Sequence, residues 1–443
     1  MYLQKIDLRN VRSISHFTME FDTDKYAGWH VLLGENGSGK TSILRCISLG
    51  LIGPTEILRL DPNWKAWLKQ QQSSATIELK ILKQHIDARS SRGATRGGTD
   101  HISTISAKLK LAQDAETITL TDQSGSSKSS PDKYFWGTGY GWFSAGIGAY
   151  RRFTGGNNTL EQFYIRNPRI GAHLSLFKED AALTESVVWL KDLYIRSTTN
   201  ADYRNALNAI RLLVNQGTLL PPNFSFEEVN VDGAFFRTPD RSRVPLYELS
   251  EGIKSILSLT FELLRLLMHT YHIVNTFENF NTPLNTTTKA NTITLPGIVL
   301  IDEIDAHLHP TWQSRIGQWF TQTFPNIQFI VATHSPLICR GCATPNGDIK
   351  GTIWKLPQAG STETAHQITG KDKDLLIFGD ILDAYETKAF GNNISQGEIS
   401  KLKQEQYRQL MYKVNYGIAL SPNEQTAFAH LKNIFHTHVE ADQ

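Results

Sequence analysis

Three short, continuous apolar runs dominate the hydrophobic pattern, and each predicts a buried β-strand. They cover residues 29–33, 297–301 and 327–333. A glycine-rich loop follows the first run, two acidic residues follow the second, and a histidine follows the third. The glycine-rich loop leads into residues 43–51, whose apolar positions recur with helical spacing. We therefore expect an α/β protein.

Alternation of apolar and polar residues predicts further strands with one buried face. Two such segments open the chain, at residues 3–8 and 16–21, and three follow the first helix, at 75–81, 107–111 and 117–121. The first two predict a strand pair that leads into the first buried strand. The other three predict a small β-rich lobe inserted after the helix.

Helical periodicity governs residues 170–214 and the stretch from Ser250 to about residue 274. Because no heptad pattern persists over several repeats, we expect a short inserted helical subdomain and no long coiled coil. Two amphipathic segments, 399–414 and 424–435, predict C-terminal helices suited to closing the domain or docking a partner.

A chain of 443 residues is long enough for one large or two ordinary domains. The patterns divide it into four predicted parts. These are an N-terminal lobe with the glycine-rich loop and the β-rich insertion at 1–150, the inserted helical subdomain at 151–245, a C-terminal lobe with the acidic and histidine motifs at 246–340, and a mostly helical tail at 341–443.

The composition is that of a globular protein, and the net charge of +2 excludes a general polyanion binder while leaving room for a local basic face. The cysteines Cys46, Cys339 and Cys342 are too few for a disulfide framework, which favours a reducing compartment. Neither a signal peptide nor a membrane-spanning run is visible, so we expect a cytoplasmic protein.

The glycine-rich loop at residues 34–41 reads GENGSGKT between a strand and a helix, which is the context of a P-loop. Its glycines let backbone N–H groups surround a β-phosphate, Lys40 reaches the β- and γ-phosphates, and Thr41 offers a hydroxyl to Mg²⁺. The predicted nucleotide-binding residues of this segment are Gly34, Asn36, Gly37, Ser38, Gly39, Lys40, Thr41 and Ser42.

The other two buried runs supply the chemistry that a phosphate site needs. Asp302 can hold Mg²⁺, and Glu303 can orient and deprotonate the water that attacks the γ-phosphate. Carboxylates at the end of a buried run are costly without a cation, which favours this interpretation over a purely structural one. His334, at the end of the third run, is placed to contact the γ-phosphate.

Several arginines leave two interpretations open. Arg12 either reaches the nucleotide from the sheet edge or is a solvated turn residue. Arg151 and Arg152, which follow a small-residue strand, either form a phosphate or metal-site loop or pair with surface carboxylates. The arginine-bearing loop at 89–100 either touches nucleic-acid phosphates or is a solvated charge run, and it lacks the aromatic residues that stacking recognition uses.

Two further motifs are weak by themselves. Ser250 is an N-cap candidate for a long helix, and with Gly252 it predicts a second anion site, which gains meaning only beside a P-loop. Cys339 and Cys342 have zinc-knuckle spacing but lack a second pair, which favours ordinary thiols. Acidic residues of the tail do not form the glycine-flanked motif of a Toprim nuclease. They are Asp372, Asp374, Asp380 and Asp383.

Together these motifs resemble the Walker A, signature, Walker B, D-loop and switch-histidine motifs of ABC-type ATPases. The segment 8–13 and the His-Leu-His-Pro sequence after the acidic pair are similar to the RecF/SMC/OLD branch. Within it the chain looks most like the stand-alone ATPases of prokaryotic antiphage defence systems of the Septu or retron type. The resemblance spans residues 1 to about 337.

The resemblance implies a head-to-tail homodimer or higher assembly, with ATP on the Lys40 loop of one chain covered by Ser250 and Gly252 of the other. It implies that Asp302 and Thr41 ligate Mg²⁺ and that Glu303 is the general base. Asp305 would communicate across the dimer, and His334 would stabilise the γ-phosphate.

Two departures from the family pattern predict slow turnover, with ATP used as a latch. Glu251 stands where the signature has glycine, and the segment Tyr150-Arg151 stands where a glutamine is expected.

Three functions follow from the sequence. The first is an ATP-driven dimeric switch that controls a separate effector, a nuclease by preference. The second is a RecF-like DNA-repair or DNA-end-binding ATPase, which salt-sensitive duplex binding would favour. The third is the nucleotide-binding subunit of a transporter, which the long insertion between Lys40 and Ser250 and the missing glutamine argue against.

Overall fold

The computed structural model describes most of the chain, and the bounds below refer to those residues only. They are 1–23, 25–57, 64–84, 104–113, 118–122, 131, 136, 142–151, 168–179, 184–271, 292–358, 360–361, 363–387 and 398–435. The predicted arginine loop at 89–100 and Arg152 lie outside them. Among the described residues, no helix has the length and apolar character needed to cross a bilayer.

The strands are β1 Tyr2–Val11, β2 Ile14–Glu20, β3 Gly28–Leu33, β4 Ser74–Leu82, β5 Thr104–Gln113, β6 Ile118–Asp122, β7 Ser144–Ile147, β8 Ser225–Val229, β9 Ala234–Arg237, β10 Arg243–Pro245, β11 Gly297–Ile301, β12 Ile327–Thr333, β13 Ile353–Lys355 and β14 His366–Gln367. The helices are α1 Lys40–Ile52, α2 Pro54–Ile57, α3 Pro168–His173, α4 Thr184–Ser197, α5 Ala201–Asn215, α6 Glu251–Tyr271, α7 Pro310–Thr323, α8 Gly370–Phe378, α9 Ile381–Glu386, α10 Glu398–Asn415 and α11 Pro422–Phe435. Short 3-10 turns lie at Trp64–Trp67, Leu174–Leu176, Leu246–Glu248 and Pro336–Cys342.

A six-stranded sheet with the order β14-β13-β3-β12-β11-β7 organises the molecule. Its neighbours pair in parallel except at the β13/β14 edge. Every residue of β3, β11 and β12 is buried, which confirms the three strands predicted from continuous apolar runs. Because parallel strands end at the same sheet edge, the segments that follow these three strands are brought together.

A second, antiparallel sheet with the order β2-β1-β4-β5-β6 shares a core with α1. The five strands predicted from alternation are all present. The N-terminal pair does not continue into the sheet of β3, however, and the β-rich insertion adds to the same sheet as that pair because β4 hydrogen-bonds along β1. Gly50 allows this packing, since a Cβ there would lie 2.4 Å from the Leu79 side chain.

The inserted subdomain contains the predicted helices α4 and α5, and it also holds a feature that sequence patterning missed. A three-stranded sheet, β10-β9-β8, follows α5. Phe226 and Phe236 stack across it with ring centroids 5.0 Å apart, and Phe226 also contacts Phe261 of α6. These strands are only three to five residues long, too short to show a clear alternation.

The chain divides into a first compact unit at 1–378 and a second at 379–443. The first unit includes residues 341–378, because β13 pairs with β3 in the central sheet. In the second unit the two predicted amphipathic helices are present as α10 and α11, and they pack on each other through Tyr407, Leu410 and Leu431. The four-part division made from the sequence stays a prediction.

Trp29 of β3 fixes the layer between the central sheet and α7. Its indole N–H donates to the Ile338 carbonyl at 3.1 Å, and its ring lies against Phe320 and Phe329. Gly317 of α7 fits beside it only because it lacks a side chain. A Cβ there would lie 2.7 Å from the Gly341 Cα and 2.8 Å from the indole.

We predict that Gly317→Ala destabilises the protein, although alanine is the better helix former by about 1 kcal/mol. Overpacking against a rigid backbone atom and an indole costs about 1–3 kcal/mol, and this effect outweighs the propensity gain. Urea unfolding measures the difference in the free energy of unfolding. The exposed Gln322→Ala on the same helix is the control, with a change within about 0.5 kcal/mol. A stabilised Gly317→Ala would refute this packing argument.

Candidate functional site

The glycine-rich loop connects β3 to α1 as the sequence predicts. Gly37 and Gly39 have φ angles of +80° and +95°, which glycine adopts without strain. A Cβ on Gly34 would lie 2.6 Å from the Ser38 Oγ, so this approach also requires glycine. Ser38 is buried and its Oγ has no hydrogen-bond partner, while Asn36 is exposed at the tip of the loop.

Lys40 is buried at the first position of α1, and its amine turns back over the loop. The Nζ donates to the carbonyls of Gly34 and Glu35 at 2.8 and 2.9 Å, and it lies 3.5 Å from the His334 Nδ1. Burial lowers the pKa of Lys40 to about 8, and nearby acidic residues oppose this shift. The acidic residues that do so are Asp302, Glu303 and Asp305.

Arg12 approaches the start of α1 from the second sheet. Its Nη1 donates to the Ser42 Oγ at 3.4 Å, and its guanidinium lies 4.5 Å from the centre of the Trp67 ring. The Nε is buried without a hydrogen-bond partner, and burial lowers the Arg12 pKa. Arg12 is therefore not the solvated turn residue of the second interpretation. Thr41 is half-buried beside Ser42.

The acidic pair lies immediately after β11. Asp302 is 5% exposed, and its backbone N–H donates to the Ile147 carbonyl at 2.9 Å. Its Oδ1 is buried without a hydrogen-bond partner, which is the condition that a missing ligand would relieve. Glu303 adopts a left-handed backbone conformation with φ of +44°, which is strained for a residue with a side chain.

Arg151 is the main residue whose role sequence reasoning missed. It is 6% exposed and donates to the carbonyls of Asp302 and Glu303, each at 2.8 Å. Its Nε donates to the Ser255 Oγ of α6 at 3.1 Å. The guanidinium binds backbone carbonyls rather than surface carboxylates, so the second predicted alternative is wrong. Position after β7 was the only sequence signal.

Hydrogen bonds also join the D-loop, residues 304–310, to the switch segment, residues 334–335, that follows β12. Thr333 donates to the Asp305 carboxylate at 2.5 Å. Gln313 of α7 accepts from the Ser335 hydroxyl at 2.6 Å and donates to the Leu308 carbonyl at 2.9 Å. No sequence signal identified Gln313, because a polar residue on a helix is usually just solvated.

The signature segment lies at the start of α6, as predicted. Ser250 is exposed, and its carbonyl accepts the first helical hydrogen bond, from the Lys254 N–H. A Cβ on Gly252 would lie 2.8 Å from the His307 carbonyl oxygen, so Gly252 packs on the D-loop of its own chain. Among the described residues, no hydrogen bond joins Ser250 or Gly252 to the glycine-rich loop.

All three cysteines are buried. Burial raises the pKa of Cys46 and of Cys342 to about 12, and it also raises the pKa of Cys339. Cys342 donates to the Trp29 carbonyl at 3.1 Å. Thiols in this state are protonated, whereas metal binding uses the thiolate.

Two family models match the chain. One, described as "AAA domain, putative AbiEii toxin, Type IV TA system", matches residues 160–340, and another, described as "AAA domain", matches residues 5–136. The two matches separate the glycine-rich loop from the acidic pair and the switch histidine. Each covers less than half of the chain.

Curated relatives match over longer stretches. The Septu protein PtuA of Bacillus mycoides is 28% identical over 77% of this chain, which spans about two fifths (39%) of that protein. The Retron Vc95 probable ATPase of Vibrio cholerae is 26% identical over 75% of this chain and 71% of that protein. The Retron Ec83 probable ATPase of Escherichia coli is 42% identical over 26% of this chain and 18% of that protein.

Among solved structures, an SMC head bound to the C-terminal winged-helix domain of ScpA matches with a TM-score of 0.46. It is 13% identical and covers 84% of this chain and 98% of its own. The SMC head domain from Thermotoga maritima matches with a TM-score of 0.41 at 14% identity, covering 84% of this chain and 100% of its own. Scores this low carry no weight in the assignment.

The P-loop, the acidic pair and the switch histidine lie at the ends of adjacent parallel strands. The chain is homologous, over about three quarters of its length, to a Septu PtuA protein and to a retron probable ATPase, and its motifs resemble those of ABC-type ATPases of the RecF/SMC branch.

Proposed function

We propose that this protein binds and hydrolyses ATP with Mg²⁺ as a head-to-tail homodimer, and that the nucleotide state controls a separate effector in antiphage defence. One observation carries the catalytic part of the proposal. Lys40 and His334 lie within 3.5 Å of each other at the sheet edge where Asp302 presents a buried, unpartnered carboxylate oxygen. A cation bound to phosphate oxygens is the partner that such a carboxylate lacks.

The P-loop residues would bind the triphosphate. In the free protein the Lys40 amine uses two loop carbonyls as acceptors, and ATP phosphate oxygens would replace them as stronger, charged acceptors. The left-handed glycines at 37 and 39 keep the loop free of side chains that would block a phosphate. The Arg12 guanidinium, held near Ser42, would add positive charge from the neighbouring sheet.

The residues present fit a Mg²⁺ ion. Asp302 offers a carboxylate oxygen without a partner, and Thr41 offers a hydroxyl at the start of α1, both of them ligand types that Mg²⁺ prefers. When bound, Mg²⁺ would neutralise charge on the β- and γ-phosphate oxygens.

Glu303 would act as the general base. Its carboxylate would accept a proton from the attacking water as the new oxygen–phosphorus bond forms and the bond to the ADP oxygen breaks. His334 would donate to a γ-phosphate oxygen, and this contact would be lost when phosphate leaves. His334 is followed by Ser335, whose hydroxyl donates to Gln313, and Gln313 donates to the Leu308 carbonyl of the D-loop. A movement of His334 would therefore shift the D-loop.

The signature segment supports the dimer. Ser250 and Glu251 are exposed at the start of a 21-residue helix, which leaves them accessible to the nucleotide of a second chain. Glu251 forms an ion pair with Lys254 at 2.5 Å. A carboxylate close to a triphosphate opposes closure of the dimer, so we expect slow turnover.

The defence role is supported by the relatives, which are Septu and retron proteins. The effector in this proposal is a separate protein, a nuclease by preference. Asp380 caps α9 and forms a capping box with Asp383, which is a structural use of both carboxylates. Nucleic-acid binding stays open because the arginine loop at 89–100 lies outside the described residues.

We predict that Glu303→Gln traps an ATP-bound dimer. Loss of a general base lowers turnover by about 10²- to 10⁴-fold while binding contacts stay intact. Native mass measurement with ATP and Mg²⁺ should give a dimer or larger assembly for Glu303→Gln and a monomer for Lys40→Ala. The amount of effector that co-purifies with the wild-type protein should change with the bound nucleotide.

The matched comparison for this experiment is the same mass measurement without nucleotide. If all three proteins show one nucleotide-independent mass and ATP does not bind, the switch proposal is wrong. If ATP binds and is hydrolysed by a monomer, the dimeric part alone is wrong.

We predict that ATP binding takes up a proton at alkaline pH. Burial holds the pKa of free Lys40 at about 8, so the amine loses its proton as the pH rises through that value, whereas bound phosphates favour the ammonium. Calorimetry in two buffers of different ionisation enthalpy should show about one proton taken up at pH 9 and almost none at pH 7.

The control for this effect is Lys40→Arg, because a guanidinium keeps its charge over this range. Its binding should show no proton uptake at either pH. Equal uptake by wild type at pH 7 and pH 9 would show that Lys40 does not titrate on binding.

A further inference from the structure

We propose that Arg151 is a positioning residue that sets the Glu303 carboxylate and couples it to the signature helix α6. This inference rests on the proposed ATPase function and deepens it. The nitrogens of one buried guanidinium reach four separate acceptors, which are the carbonyls of Gly148, Asp302 and Glu303 and the Ser255 hydroxyl. Arg151 is thus the point where the strand end of β7, the acidic segment and α6 meet.

The acidic segment needs such a support because it leaves the sheet at this point. The Asp302 N–H still donates to the Ile147 carbonyl of β7, as in a regular ladder. Beyond it β7 ends, and the carbonyls of Asp302 and Glu303 accept hydrogen bonds from the Arg151 side chain. The guanidinium therefore satisfies two backbone acceptors beyond the end of the strand pairing.

The hydrogen bond from Arg151 to the Glu303 carbonyl stabilises an unusual backbone conformation of Glu303. A left-handed conformation at a residue with a side chain costs on the order of 1–3 kcal/mol and persists only where surrounding contacts fix it. The Glu303 carbonyl accepts from Arg151 and also from the Ala306 N–H at 2.9 Å. These two bonds hold the conformation that directs the side chain of the proposed general base.

Charge adds to the geometry. Arg151 places a buried positive charge under the acidic segment, and Asp305, Asp302 and Glu303 favour its protonated form. Burial lowers the pKa of Arg151, but only to about 10, so the guanidinium is charged at neutral pH. Lysine would keep the charge but cannot reach four acceptors with a planar fork.

The hydrogen bond from Arg151 to Ser255 couples α6 to the backbone of Glu303. Ser255 lies one turn after Glu251, on the helix whose start carries Ser250 and Gly252. When a second chain's nucleotide contacts that helix end, a shift of α6 would pass through Ser255 and Arg151 to the backbone of Glu303.

The test is steady-state ATP hydrolysis by the full chain, with ATP affinity and stability measured beside it. Misplacement of a catalytic group by about 1 Å costs about 10²-fold, so Arg151→Ala should lower kcat by that order with the ATP affinity nearly unchanged. Arg151→Lys should lie between it and wild type. Ser255→Ala, which removes one bond, should lower kcat about fivefold.

The matched control is Arg169→Lys. Arg169 is 7% exposed and donates to the Trp136 carbonyl at 3.0 Å, so its loss tests the effect of removing a buried arginine elsewhere. It should lose stability without losing kcat at temperatures where it is folded. If Arg151→Ala does not fold, Arg151→Lys and Ser255→Ala carry the test.

The outcomes separate the inference from the proposed function. Wild-type hydrolysis above that of Lys40→Ala supports the function whatever Arg151 does, and its absence overturns both. With active wild type, normal kcat in the Arg151 variants overturns the inference. A parallel loss of kcat and ATP affinity, matched by Arg169→Lys, would show that Arg151 is only a structural support.

Discussion

The rest of the structure depends on one constraint, which is that charged side chains are buried at one end of a parallel sheet. The Lys40 ammonium and the Asp302 carboxylate are both buried there, and one oxygen of that carboxylate has no hydrogen-bond partner among the described residues. A folded chain tolerates such groups only if backbone carbonyls, other charges or a ligand compensate for lost hydration. Loop carbonyls do this for Lys40, and Arg151 does it beneath the acidic segment.

The same constraint explains why the surroundings are rigid. Strands β3, β11 and β12 have no exposed residue, and Trp29 with Gly317 fixes the layer of helices against them. A fixed sheet edge holds in place the four chain segments that follow β3, β7, β11 and β12. The polar links from Asp305 to Thr333 and from Gln313 to Ser335 then allow a change at one segment to reach the next.

The sequence predicted the parts of this site that have local signals. Continuous apolar runs identified the three buried strands, and the residues at their ends followed directly, including Lys40, Asp302 and His334. It singled out Arg151 without its backbone contacts and did not identify Gln313, because a side chain that bonds to distant backbone carbonyls leaves no periodic pattern. The short strands β8–β10 and the place of β13 in the central sheet depend on tertiary pairing in the same way.

The measurement that tests the central claim most directly is the Mg²⁺ dependence of ATP affinity in wild type and Asp302→Asn. If the unpartnered Asp302 oxygen is a metal ligand, Mg²⁺ should tighten ATP binding in wild type and should lose most of that effect in the variant. Binding without Mg²⁺ should be similar in both, because the Lys40 loop is unchanged. An equal gain from Mg²⁺ in the two proteins would contradict the account.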